Sequence, residues 1–436
     1  MNEIISLKGM KDYYGNDLLI LNFIKDTFFK FYQSLGYQAV FTPLIEYEAL
    51  FNRSLGEETD IVQKEMFQFF TKSNKKIVLR PENTASILRF IWEKKLYYQK
   101  NLKFLYFGPM FRYERPQKNR YRQFFQLGCE AFSSKNSFFD SSLLINLINF
   151  LSYLGISNYK LHINCLPDKQ FLENYQTEVK KYFKNYLHEL CTDCNLRINK
   201  NPLRILDCKI DNWKDFYNFA PKSIDFCSSD SQKYFFEIKE ILKTNNVEYI
   251  TDDKLVRGLD YYNDLIFELK NEETTFVAGG RYNNLFHDLY SVSLPGIGFS
   301  IGCERLIKVI QENEANNINF QKYKKNTLLK KVLFLVLEEN LINHFFSIYQ
   351  KFLKFNLDFD EKFQFFWSFK KETLKKGLTF ALKNNFSFVI IYGNNNFNSN
   401  SFTVKKIMNN KDAKTNNNFD ISINNLSLFF KNKISE

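Results

Sequence analysis

The 436-residue chain has only four histidines, His162, His188, His287 and His344, scattered without ligand spacing, which excludes a multi-histidine metal centre. Seven cysteines in a chain this long make no disulfide scaffold, and an odd count fits a reducing compartment. Glycine (15), proline (8) and tryptophan (3) are scarce beside 49 phenylalanines, as in proteins of AT-rich genomes. No apolar run reaches the roughly 18 residues of a membrane helix. MNEIISLKGM also carries no secretory h-region or cleavage site. A cytoplasmic location with no membrane partner is expected.

Arginine is depleted too, with twelve among 60 basic residues and none after Arg305. The net charge of +12 therefore reflects lysine drift as much as a nucleic-acid footprint. Where composition drifts toward lysine, a retained arginine marks planar, bidentate contact with phosphate or carboxylate, which lysine cannot make. Arg80 stands alone, Arg112, Arg115, Arg120 and Arg122 form a second group, and Arg257, Arg281 and Arg305 follow downstream. Scarce glycines collect beside them, at Gly108, Gly128, Gly258, Gly279, Gly280, Gly296, Gly298 and Gly302.

Apolar spacing predicts a helix over 17–35 with Gly36 as its cap, then a strand from Tyr37 to Thr42. FLYFGPMFRYE and YRQFFQLGCEAF read as two strands joined by the basic loop RPQKNR. Period two places Gln126, Gly128 and Glu130 on one face, with Gly128 leaving it open, and Arg112 and Glu114 at the rim. Residues 170–250 read as a helical insertion, and strands resume over 254–269 and 276–279. Two glycines beside Arg281 would admit close approach of a ligand. A helix near 303–311 carries Arg305 in its first turn, where the macrodipole disfavours a cation unless an anion lies opposite. VLFLVL (332–337) and FSFVIIYG (386–393) are buried-strand patterns of a small C-terminal α/β domain.

LKGMKDY (7–13), GYQAVFTPLIE (36–46), LRPENTA (79–85), GPMFRYERPQKNRYRQFFQLGCE (108–130), LVRGLDYY (255–262), AGGRY (278–282) and PGIGFSIGCERL (295–306) resemble the class II histidyl-tRNA synthetases in order and spacing. The resemblance implies an α+β fold, a class II antiparallel sheet flanked by helices. Its parts would be a catalytic core over 1–168 and 251–320, a helical insertion over 169–250 and an α/β anticodon-binding domain over 328–436. It implies activation of L-histidine by ATP with Mg²⁺, transfer to tRNA(His), and a homodimer formed through the segment around Pro43.

By the same resemblance, Arg112 and Arg257 are the catalytic pair. Glu82, Asn83, Thr84, Arg112, Gln126, Glu130, Arg257, Tyr261 and Tyr262 would bind histidine, and Arg112, Glu114, Arg120, Phe124 and Arg305 would bind ATP. Arg115 and Gln117 would meet the tRNA acceptor end. A carboxylate beside the imidazole accepts a ring N–H that other amino acids lack. Asn83, Asn119, Asn283 and Asn284 stand where the family usually has glycine or aspartate, and asparagine tolerates left-handed backbone conformations better than other non-glycine residues. A catalytically silent paralogue, such as the regulatory subunit of ATP phosphoribosyltransferase, is the alternative, disfavoured by the retained arginines. Cys191, Cys194, Cys208 and Cys227 could in principle hold zinc, but no second CxxC pair accompanies CTDC, so no metal site is expected.

Overall fold

The computed structural model describes residues 4–56, 59–114, 121–259, 261–271, 274–327, 329–356, 363–407 and 418–432. The expected loop positions Arg115, Gln117, Asn119 and Arg120 lie outside these. Two compact units divide at Gln321/Lys322.

The first unit is built on an eight-stranded sheet. Its spatial order is Gln38–Ala39, Leu102–Phe111, Gln123–Phe132, Gly296–Gly302, Thr275–Tyr282, Asn263–Lys270, Lys160–Leu166 and Ile250–Thr251. Pairing is antiparallel except at the two edge strands, which pair in parallel. The helix Gly15–Ser34 buries Ile20, Phe23, Ile24 and Phe28 along one stripe, and each buried phenylalanine contributes about 1.5–3 kcal/mol. It stops as expected, with Gly36 in the left-handed region at φ +83°.

The strand expected over 37–42 contracts to two residues. Strand pairing does not begin at 254 but at Asn263, because residues 253–259 form turns and irregular chain before the sheet. Helices Lys169–Lys184, Thr192–Lys200 and Ser229–Thr244 occupy the stretch read as helical, and the first two share a core of Tyr175, Val179, Phe183 and Ile198 with Tyr217 of the turn Asp215–Phe219. A smaller sheet of Ile45–Tyr47, Lys76–Leu79 and Gln68–Phe70 leaves Phe41, Ile45, Tyr47, Phe69 and Phe70 exposed.

In the second unit a five-stranded sheet runs Phe363–Lys371, Lys330–Val336, Phe388–Tyr392, Ser401–Lys406, Asn418–Ser422. The first three strands are parallel, with the near-continuous apolar runs that parallel strands require. Among the described residues no helix is long and apolar enough to cross a membrane.

Candidate active site

The site begins with the hairpin Leu102–Phe111 and Gln123–Phe132, whose register sets Gly108 against Gln126, Tyr106 against Gly128 and Phe104 against Glu130. Gln126, Gly128 and Glu130 share a face, but the floor is not open. A Cβ on Gly128 would collide with the Tyr106 ring and the Phe299 carbonyl, and one on Gly108 with the Arg80 guanidinium. These glycines make room for protein side chains, which period two alone could not reveal.

Beside this floor lies a cavity of about 250 Å³, lined by Arg112, Glu114, Phe124, Gln126, Arg257 and Arg305 among others. Three guanidinium groups therefore converge on one space from the hairpin, the turn before Asn263 and the helix Cys303–Glu312. Arg112 donates Nε to the Pro81 carbonyl at 3.0 Å and lies over the Phe124 ring, 5.5 Å from its centroid. Arg257 pairs with Glu268, and its own Nε is buried without a hydrogen-bond partner. The Gln126 Oε1 is likewise buried and unpartnered. Orphaned buried polar atoms are rare in native structures, and here a donor and an acceptor line the same cavity.

The N-terminal segment braces this rim. Gly9, at φ +86°, packs on Arg122 and accepts its amide at 2.7 Å. Tyr13 donates to Glu304 at 2.6 Å, and the same oxygen takes the Phe125 amide at 2.7 Å. Burial raises the Glu304 carboxyl above its ordinary pKa. Glu268 has no counterpart in the sequence reading, although its signal is there, a carboxylate in the otherwise apolar strand segment LIFEL.

A second, buried cluster lies outside the cavity lining. Glu130 does not line the cavity with the arginines as expected. It is 1% exposed and accepts the Thr84 hydroxyl at 2.7 Å and the Tyr282 hydroxyl. Glu82 accepts the amides of Thr84 (2.5 Å) and Ala85 (2.9 Å), capping the helix Thr84–Glu93. Asn83 Oδ1 accepts from Thr42 (2.6 Å) and Arg80 (2.9 Å), while its Nδ2 is buried without a partner. Tyr261 and Tyr262 pack with centroids 4.5 Å apart and hydroxyls at 3.5 Å. Arg112 reaches this cluster electrostatically, acting on Glu82.

Burial pushes the Glu130 carboxyl up to about 8 from 4.5. Between about pH 4.5 and 8 the folded chain thus holds a proton that the unfolded chain has lost. The contribution to stability is complete below the unfolded value and disappears as pH rises through the folded one. Urea unfolding across that range is expected to show a decline that Glu130→Gln lacks. Parallel declines in both proteins would assign the proton elsewhere.

Two further expectations are corrected. Gly279 and Gly280 admit no ligand, since a Cβ would strike Phe267, Phe299 and the Gly298 carbonyl, or Tyr262 and the Leu265 carbonyl. Arg281 is fully buried on Asp140 (2.6 and 2.7 Å), a structural tie rather than a ligand contact. Asn83 has φ −117° and Asn284 φ −102°, and Asn283 is not among the left-handed residues, so these three do without that conformation. Asn83 and Asn283 are held by side-chain hydrogen bonds: Asn283 donates to Asp264 at 2.9 Å and accepts from Arg281 at 2.9 Å.

An antiparallel sheet carrying these motifs around an arginine-lined cavity defines the catalytic core of a class II aminoacyl-tRNA synthetase. The family model for histidyl-tRNA synthetase matches residues 9–168. The histidine–tRNA ligase of Mycoplasma mycoides is 38% identical, over 94% of this chain and 96% of its own. That of Halothermothrix orenii is 40% identical over 71% and 75%. The apo histidyl-tRNA synthetase of S. aureus superposes with a TM-score of 0.75 at 27% identity, covering 98% of this chain and 100% of its own. The chain belongs to the histidyl-tRNA synthetase family.

Proposed function

We propose that the cavity joins L-histidine to ATP and that the chain then passes the aminoacyl group to the 3′ end of tRNA(His). The histidine carboxylate attacks the α-phosphorus, pyrophosphate leaves, and a terminal ribose hydroxyl of the tRNA displaces AMP. No protein nucleophile is needed, so catalysis rests on positioning and charge stabilisation.

Arg112 grips the α-phosphate, Arg257 meets charge developing on it, and Arg305 holds the distal phosphates with Glu114 and Phe124 beside the nucleotide. Gln126 accepts from the amino acid through its unspent Oε1. Glu82 and Thr84 take the ammonium, with Asn83, Glu130, Tyr261 and Tyr262 completing the histidine side. Glu114 and Glu304 on the cavity wall would offer the oxygen donors for Mg²⁺, which would supply charge neutralisation for the departing pyrophosphate. Arg120, Arg115 and Gln117 keep their ATP and acceptor-end assignments from the motif. The second unit reads the anticodon with lysine and polar side chains.

One observation carries the reading. Three arginines share a cavity in which Arg257 Nε and Gln126 Oε1 are both unpartnered. The exposed Phe41, Ile45, Tyr47, Phe69 and Phe70 around the motif bearing Pro43 support a homodimer covering that face. One preparation tests both. ATP–pyrophosphate exchange is expected with histidine and with none of the other nineteen amino acids, and light scattering is expected to give twice the mass of 52.2 kDa. No histidine-dependent exchange would reject the activity, and a single-chain mass would reject the dimer.

A further inference from the structure

The helical segment between the strands Lys160–Leu166 and Ile250–Thr251 holds a group of side chains that the synthetase chemistry leaves unused. The sulfurs of Cys191, Cys194 and Cys208 and a carboxylate oxygen of Asp211 all lie within 4.8 Å of one another. Cys194 is 0% exposed, and Cys208 and Asp211 are each 3% exposed, so this is not a solvated surface cluster. Cys227, the fourth thiol expected from sequence, lies elsewhere, 3.7 Å from the Cys165 sulfur. The missing signal was a second short turn ending in aspartate, CxxD in place of CxxC.

We propose that Cys191, Cys194, Cys208 and Asp211 form a tetrahedral site for a zinc-class divalent cation. With Zn–S bonds of about 2.3 Å, the sulfur–sulfur edge of a tetrahedron is about 3.8 Å. The Cys191 and Cys208 sulfurs are 3.8 Å apart, far beyond the roughly 2.05 Å of a disulfide.

Each pair of ligands comes from one short turn, Cys191-Thr-Asp-Cys194 and Cys208-Lys-Ile-Asp211. In the second the Asp211 amide donates to the Cys208 sulfur at 3.4 Å, an outer hydrogen bond that orients the sulfur. Cys191 also caps the helix Thr192–Lys200, whose N-terminal dipole favours a negative sulfur. Asp211 is held in place by the Cys191 amide at 2.6 Å and by Lys214 at 3.0 Å, the kind of outer support that orients a ligating carboxylate.

A bound cation would pin the start of that helix to the 202–211 stretch. This stretch carries Arg204, which packs against Gly258, one residue beyond Arg257. The site thereby steadies the turn that presents the catalytic arginine, without touching substrate.

Elemental analysis of the full chain, reduced, incubated with Zn²⁺ and dialysed against metal-free buffer, tests this. The expected zinc-to-chain ratio is near one, retained in Cys227→Ser and lost in Cys194→Ser and Cys208→Ser. Because those two variants could fail to fold, Co²⁺ titration of the unsubstituted chain provides an independent reading. Thiolate charge-transfer bands with the intense visible absorption of tetrahedral cobalt are expected. A ratio near zero with no such bands overturns the proposal, as does full zinc retention in folded Cys208→Ser, or a Cys191–Cys208 disulfide in chain that takes up no metal.

Discussion

Arg257→His is expected to lower histidine-dependent ATP–pyrophosphate exchange by about 10²-fold or more, because it removes a donor aimed at charge that develops in the transition state. That factor corresponds to about 2.7 kcal/mol of barrier. The loss should fall on kcat with little change in KM for histidine, since an interaction made only in the transition state does not tighten substrate binding. The substitution also takes a partner from Glu268, which accepts the Thr275 hydroxyl at 3.0 Å as well. Glu268→Gln, which keeps the arginine but loosens its anchor, separates the two effects and should cost less than Arg257→His. A folded Arg257→His enzyme with unchanged kcat would show that Arg257 does not stabilise the transition state and leave that role to Arg112.

Asp140→Ala is expected to cost about 3–5 kcal/mol of stability, among the largest effects available to a single substitution here. Asp140 and Arg281 are both fully buried, and the carboxylate binds two guanidinium nitrogens while accepting the Tyr234 hydroxyl. Removing it strands a charge that no water can reach. The site also ties three elements together: the strand Thr275–Tyr282, the helix Ser137–Tyr153 that carries Asp140, and the helix Ser229–Thr244 that carries Tyr234. The double variant Asp140→Leu with Arg281→Met should recover most of the loss, because an apolar pair needs no charge compensation. Urea unfolding measures both, and a loss below about 1 kcal/mol for Asp140→Ala would mean that water or another group compensates Arg281.

The family motifs could be read because each bundles local backbone demands with chemistry-bearing residues at fixed spacing. The hairpin emerged from period-two alternation and a polar connection, and its long strands pair as the alternation requires. Retained arginines in a lysine-drifted chain located Arg112, Arg257 and Arg305, which one cavity gathers. The same signal misjudged Arg281, because a bidentate partner inside the protein selects guanidinium as strongly as a phosphate does. The glycine signal erred similarly. Gly108, Gly128, Gly279 and Gly280 mark close approach, and the approaching groups are Arg80, Tyr106, Phe267 and Tyr262.

Local patterning, working through chain-neighbour sterics and side-chain period, was enough by itself to determine the hairpin faces, the helical insertion and the strands of the C-terminal domain, while the α+β plan and the residues for adenylate chemistry came with the family motifs. Only the tertiary structure decided that Glu130 is buried outside the cavity lining, that Arg257 leans on Glu268, and that Asp211 joins three of the four candidate thiols while Cys227 goes to Cys165. Those outcomes depend on groups up to 152 residues apart in the chain, as in the Glu130–Tyr282 contact. Desolvation and packing fix such partners once the sheet has closed, and they leave no period in the sequence.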